Sequence, residues 1–328
     1  MQYLGNMSQS WLLVSAATRV LVCLNYHTIL DGKSLCQPNE DIRACIYWCY
    51  YLDKLLSLLL ARPASLPRLK SQPASSVQCD ISNPSTVMMH VLLLVAEVQE
   101  LSLDIYLHEA ATDEFTAIVY RDLDDKMQSL RGSIDQAILT SPAALHTSWI
   151  DFDYGYFAIQ THISQHRLRK LGSMHYHEQC LSSARKALTM LQYLQSTVSK
   201  EPSSPEPFPS FLVWTILLFP LSPYFVLFYN VVSTSNVRDF ILMKDVTAGL
   251  SRFTAANPCI DKLHHFLESL LNLCSPLVEP ALSDRMSTLP QTGGVAENSG
   301  RDDIVLWTDD LMWELFTSQP SLDRLGLA

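Results

Sequence analysis

The chain has 328 residues, long enough for one large or two ordinary domains with a sizeable core, and 48 % of them are apolar. Ten Gly fall well below the usual share of about 7 %, which together with abundant Leu favours helices, and a mean hydropathy of +0.10 places much of the chain in core or interface. A formal charge of −10 and a pI near 5.4 disfavour a grip on DNA through the overall field of the protein. The eight cysteines (Cys23, Cys36, Cys45, Cys49, Cys79, Cys180, Cys259, Cys274) include no Cys-x-x-Cys pair, so no zinc ribbon or cluster is expected. Cys45 and Cys49 would share a helix face and read as packed thiols. The apolar stretch near the start lacks a basic leader and is interrupted by Arg19, so the expected compartment is intracellular and reducing.

In chain order, Ser10 to His27 places Trp11, Val14, Thr18, Leu21 and Val22 at helical spacing, with Ser8 or Ser10 as N-cap and Asn25 suited to a left-handed end. Residues 28–41 carry Gly32, Pro38 and Asn39 and read as a loop. From Arg43 to Pro63 the sequence is RACIYWCYYLDKLLSLLLARP, with only Asp53 and Lys54 charged between Arg43 and Arg62. A helix apolar nearly all round is a central helix or a membrane span. Each of those charges would cost roughly 2.5–3.5 kcal/mol at a bilayer centre, so a buried central helix is predicted. Asp53 and Ser57 lie one turn apart, so Ser57 is the expected hydrogen-bond partner of the carboxylate and Arg19 or Arg62 its expected counter-charge.

Residues 61–86 form a Pro- and Ser-rich surface connection. Helices follow at 87–112, with Val91, Leu94, Val95, Val98, Leu101 and Ile105 on one stripe and Glu97, Glu100 and Asp104 off it, and at 113–130. Further helices are predicted at 145–170, bent near Gly155, and at 176–199. After a Pro/Ser loop at 200–210 comes an uncharged run, 208–237, which Pro220 and Pro223 cut into pieces of about ten residues, short for a span. Helices at 239–255 and 258–273 close the body. Domain boundaries are drawn at 1–278, a flexible linker at 279–300 and an acidic amphipathic segment at 301–328.

The 43–63 helix has an Arg (Arg43), an aromatic before Trp48, then Tyr51, Asp53-Lys54, Ser57 and Arg62-Pro63; the helix before it carries Ser15, Ala17, Arg19 and Asn25-Tyr26-His27. In this order they resemble the fungal-specific transcription factor domain, the middle homology region of zinc binuclear cluster regulators, with Ala61 where that family has Gly. Farther on, Cys180, Ala184, Arg185 and Leu188, then Pro220, Phe225 to Asn230 and Asp239, are similar to later helices of the same family. The resemblance implies an all-α, multi-helix regulatory domain around an apolar central helix, with Arg19, His27, Arg43, Trp48, Asp53, Ser57, Arg62 and Pro63 as structural signature. It also implies a pathway-specific nuclear regulator of RNA polymerase II transcription, of the kind often encoded beside secondary-metabolite biosynthesis genes. Its partners would be the transcription machinery or coactivators and a homo- or heterodimeric mate. DNA would be met only indirectly or through an N-terminal zinc cluster, which this chain lacks, so no cofactor is expected.

His162, His166, His175, His177 and Cys180 could approach a metal, but no Glu follows the first His and the surroundings are basic; hydrogen-bonded histidines are the preferred reading, with no metal site. Arg167, Arg169, Lys170, Arg185 and Lys186 read as a solvated helix face before a phosphate patch. Asp122, Asp124 and Asp125 lack the spacing of a magnesium-binding pair and read as a helix start; a metal-dependent helical enzyme is the remoter alternative, behind a membrane-associated protein anchored by 208–232. No nucleophile elbow, phosphate loop or dinucleotide fingerprint is present, so no catalytic residue is assigned. The segment 301–316 sets Trp307, Leu311, Trp313 and Phe316 among acids, the pattern by which activation segments contact coactivators, and equally that of a last helix docking Trp307, Leu311 and Trp313 onto the body.

Overall fold

Runs of apolar residues at helical spacing, punctuated by Pro and Asn, fold here into helices alone. The computed structural model describes residues 7–30, 40–69, 72–77, 80, 83–107, 113–140, 146–198, 221–256 and 258–287. In order these give α1 (Met7–Cys23), α2 (His27–Leu30), α3 (Glu40–Leu59), a 3₁₀ turn (Pro73–Ser76), α4 (Pro84–Leu107), α5 (Asp113–Thr140) and α6 (His146–Leu171). They are followed by α7 (Met174–Val198), α8 (Leu221–Thr234), α9 (Val237–Leu250), a second 3₁₀ turn (Ser251–Ala256) and α10 (Pro258–Ser287). No strand occurs among the described residues, and the protein is all-α.

The described residues divide into two units, one running through Tyr156 and the other beginning at Phe157 within α6. In the first, α3 packs against α1 and α4, and α4 against α5 and the Pro73–Ser76 turn. Its core joins Ile46, Tyr50, Leu55 and Leu56 of α3 to Val91, Leu93 and Val98 of α4 and Leu123, Leu130 and Ile134 of α5. The last two turns of α3 are wrapped nearly all round, while nearer its start Trp48 is 40 % exposed. In the second unit α7, α8, α9 and α10 enclose Leu188, Leu194, Val226, Leu227, Val231, Met243, Ile260 and Cys274.

Several lengths differ from the sequence reading. α5 runs past Gly132 to Thr140 because Ile134 and Ala137, both fully buried, continue its apolar stripe. α6 passes through Gly155 without interruption. α10 extends beyond residue 278, into the stretch read as a linker. α4 includes one window, Pro84–Ile105, long and apolar enough to cross a membrane; 67 % of it is buried inside the protein. Of the proposed anchor at 208–232, residues 208–220 lie outside the described residues; the rest falls in α8, whose 14 residues are short of the roughly 20 a span needs. Cys45 is exposed and Cys49 half-buried, so they are not the packed pair expected; burial, then Cys45, pushes the Cys49 thiol up to about 11.

Both helices of the signature end in a left-handed residue. After α1, the Asn25 N–H donates to Val22 O and the Tyr26 N–H to Leu21 O, with Asn25 at φ +60°, as its amide side chain allows. After α3, the Ala61 N–H donates to Leu58 O and the Arg62 N–H to Ser57 O, with Ala61 at φ +49°. The left-handed turn thus forms with Ala61 in it, at the steric cost of a Cβ in that backbone region. Ala61→Gly is expected to stabilise the first unit by about 1 kcal/mol, measured as a higher urea midpoint at unchanged slope.

α1 docks with its small and polar side buried. Ser10, Ser15, Thr18 and Leu21 face inward, whereas Leu12, Leu13, Val20 and Leu24 are each more than half exposed.

Candidate functional site

The two charges of α3 do not reach water. Asp53 is 0 % exposed; its Oδ1 accepts the Ser65 N–H at 2.8 Å and its Oδ2 the Leu66 N–H at 3.0 Å. Lys54 Nζ donates to Leu66 O at 3.0 Å, pairs with Glu100 Oε1 at 2.9 Å and stands 3.7 Å from Asp53 Oδ2. Tyr50 completes this group by donating its hydroxyl to Glu100 Oε2 at 3.2 Å. The described residues of the segment after α3, which carries Pro63, Pro67 and Pro73, form no regular ladder, and their buried backbone groups are met by side chains.

A second clamp lies farther along the same segment. Glu97 of α4, 6 % exposed, accepts the Ala74 N–H at 2.9 Å and pairs with Lys126 of α5, which also donates to Gln72 Oε1 at 2.8 Å. His90 Nδ1 meets Ala74 O at 3.0 Å, and the Tyr47 and Ser76 hydroxyls share a hydrogen bond of 2.8 Å. Carboxylates thus do for this loop what neighbouring backbone does in a helix.

Asp53 takes other partners than those expected. Its charge is met by Lys54 and two amides, not by Arg19 or Arg62, and Ser57 turns elsewhere: its Oγ accepts the Trp11 Nε1–H at 3.3 Å and donates to Pro63 O at 3.4 Å. The Arg62 guanidinium lies 4.8 Å over the Trp11 ring, and Ser65 Oγ donates to Ser15 Oγ at 2.8 Å. Ser57, Arg62 and Pro63 therefore tie α1 to the end of α3. The remaining signature residues do not join them: Arg19 is exposed on α1, Arg43 and His27 are half-buried, His27 Nδ1 has no hydrogen-bond partner, and Trp48 stands edge-on to Tyr51 at 6.0 Å.

Burial raises the Asp53 carboxyl above the ordinary carboxylate range, opposed by the Leu66 amide, the Lys54 charge and the Ser65 amide. The Tyr50 phenol is raised by burial and then by the Glu100 and Glu97 charges. Chemically, both Asp53 oxygens are committed to backbone donors, so the arrangement fastens a loop between helices.

The second unit holds another knot, with Asp239 and Asn230 buried and Arg185 part-exposed. Arg185 of α7 grips Asp239 of α9 with two bonds, Nε to Oδ1 at 2.7 Å and a terminal nitrogen to Oδ2 at 2.9 Å, and Asn230 of α8 donates to Oδ2 at 2.6 Å. Asn236 caps α9 by accepting the N–H groups of Arg238 and Asp239, and the acid in the first turn suits the helix dipole. Arg185, Asn230 and Asp239 were each singled out in sequence, and the structure joins all three.

Of the other candidates, His162 and His166 stand one turn apart on α6, close enough for His162 to help lower His166. Burial lowers His162 and His166, on α6, to about 4 each; His175 stands edge-on to Tyr176; Cys180 Sγ donates to Thr161 O at 3.6 Å. The basic set is divided: Arg167 is buried over Tyr176, Arg185 is bound to Asp239, Lys186 lies over Phe157, and Arg169 and Lys170 are exposed. Asp122, Asp124 and Asp125 lie on the outer face of α5 well inside the helix, not at its start. Trp307, Leu311, Trp313 and Phe316 lie outside the described residues.

Glu97 and Glu100, read as off-stripe polar positions, turn out to be the acids that anchor the loop and Lys54. Their signal was present: carboxylates in a helix otherwise apolar enough to span a membrane need a buried role. No family model matches the chain, and no curated protein or solved structure matches it.

Proposed function

We propose that this protein is a pathway-specific regulator of RNA polymerase II transcription, acting in the nucleus through its helical body and the acidic segment 301–328, and controlling a secondary-metabolite gene cluster. The reading rests on the sequence resemblance set out above. One observation supports it: residues that carry the resemblance meet in ordered polar knots, Ser57, Arg62 and Pro63 with Trp11 beside Asp53, and Arg185 with Asn230 and Asp239. In this reading the two knots maintain a regulatory scaffold, and the bulky groups Trp307, Leu311, Trp313 and Phe316 contact a coactivator from an acidic, water-soluble setting.

The test is to fuse the full chain to an unrelated DNA-binding domain and read a reporter gene downstream of its site. Strong activation is expected, reduced at least roughly tenfold by replacing Trp307, Leu311 and Trp313 together with Ala, as loss of clustered aromatic anchors predicts. No activation by the fusion, with the unfused chain held in the cytosol, overturns the proposal.

A further inference from the structure

We propose that His264, His265 and Glu268 of α10 form a binding site for a divalent transition metal of the zinc, nickel or copper class, with Asp261 orienting His265. Glu268 is four residues beyond His264 and three beyond His265, the two spacings that make helix side chains neighbours, so one carboxylate can be reached by both rings. The three ligand atoms all fall within 4.8 Å of one another. His264 Nδ1 stands 3.6 Å and His265 Nδ1 3.4 Å from the same carboxylate oxygen, Glu268 Oε2.

Those separations discriminate between two arrangements. A charge-assisted hydrogen bond between an imidazolium and a carboxylate closes to about 2.7–2.9 Å. Ligand atoms placed 2.0–2.1 Å from a tetrahedral zinc stand about 3.4 Å from one another. The two distances to Glu268 Oε2 are longer than closed hydrogen bonds and match two edges of a coordination tetrahedron, the third separation being no more than 4.8 Å. The far side of His265 adds to the argument: its Nε2 faces Asp261 Oδ1 at 3.6 Å. At that distance Asp261 makes no hydrogen bond to the ring; in the proposed site it closes on Nε2–H when metal binds and holds the tautomer that leaves Nδ1 to the metal.

Two imidazoles and one carboxylate select zinc, nickel or copper over magnesium or calcium, which prefer oxygen donors throughout. His265 and Glu268 side chains are 69 % and 48 % exposed while His264 is 11 %, so the site opens to solvent on one side and is anchored on the other. Three protein ligands leave at least one position for water or for a donor from another molecule.

The experiment titrates the chelator-stripped full chain with Zn²⁺ by calorimetry and with Co²⁺ by visible absorption. One equivalent is expected to bind, with the d–d bands of low-coordinate cobalt. His265→Ala should abolish binding, and Asp261→Asn should weaken it roughly 10- to 100-fold, both with unchanged circular dichroism because the replaced side chains are largely exposed. His162→Ala should bind as the parent does. Absence of binding by the parent, equal binding by His265→Ala, or loss of binding in His162→Ala would each overturn the assignment.

Discussion

Asp53→Ala is expected to lower the unfolding free energy of the first unit by about 3–5 kcal/mol, the range for removing one member of a buried charge pair. The substitution leaves the Ser65 and Leu66 amides without their acceptor and Lys54 with less compensation in a setting where it is 1 % exposed. Both groups of the pair help to fasten the loop, so the loss should couple: Asp53→Ala with Lys54→Met should cost less than the sum of the single changes. Urea unfolding followed by circular dichroism gives all three values. A loss within about 0.5 kcal/mol, the size of an ordinary surface change, would show that the clamp does not organise the loop.

Acid should act on the two units in opposite directions. In the second unit, burial lowers His166 from its ordinary 6.5 to about 4, helped by His162, Arg169 and Lys170, and burial lowers His162 to about 4. Below pH 6.5 the unfolded chain therefore takes up protons that the folded unit refuses. The stabilisation from these histidines is complete above about pH 6.5 and is lost as the pH falls toward 4. For the almost fully buried His166 the full effect is about 3 kcal/mol, at 1.36 kcal/mol per unit.

In the first unit, burial pushes Asp151 up to about 7. The folded unit here holds a proton that the unfolded chain releases near pH 4, so this contribution is complete in acid and is lost as the pH rises through about 7. Hydrogen exchange at about pH 5 and about pH 7, corrected for intrinsic rates, should show weakened protection of α7 to α10 at the lower pH. The Asp151 contribution should act oppositely on α3 to α5. His166→Gln should flatten the first trend and Asp151→Asn the second; a trend unchanged in its variant would refute the assignment of that group.

The helices were legible because their apolar stripes repeat with the helical period, and the fold class followed. Their ends were less so, because packing overrode local signals. The last helix was read as 258–273, yet α10 runs through Pro276 because Cys274 and Val278 on either side are 0 % exposed, and this burial offsets the missing N–H. Gly155 suggested a bend, but Tyr154 and Ala158 beside it are buried and α6 continues.

Partner choice was the least legible feature. Helical spacing brings Ser57 onto the face of Asp53, and nothing in a periodic pattern says that two loop amides beyond Pro63 reach the carboxylate first. Conversely Arg185, Asn230 and Asp239 could be flagged one by one, but their meeting depends on how three helices pack. His264 and His265 were not singled out in the sequence; their grouping with Glu268 follows from the turn of α10.

The inward face of α1 has a consequence for specificity. A seam of leucines would tolerate sliding by one turn, since apolar contacts are non-directional. Trp11 to Ser57, Arg62 over Trp11 and Ser15 to Ser65 exist in only one register, and a slip would leave the buried Ser15 and Ser57 hydroxyls without these partners. The helix is thus addressed more than it is glued: its position is set by the penalty of every neighbouring alignment, while its net adhesion stays modest.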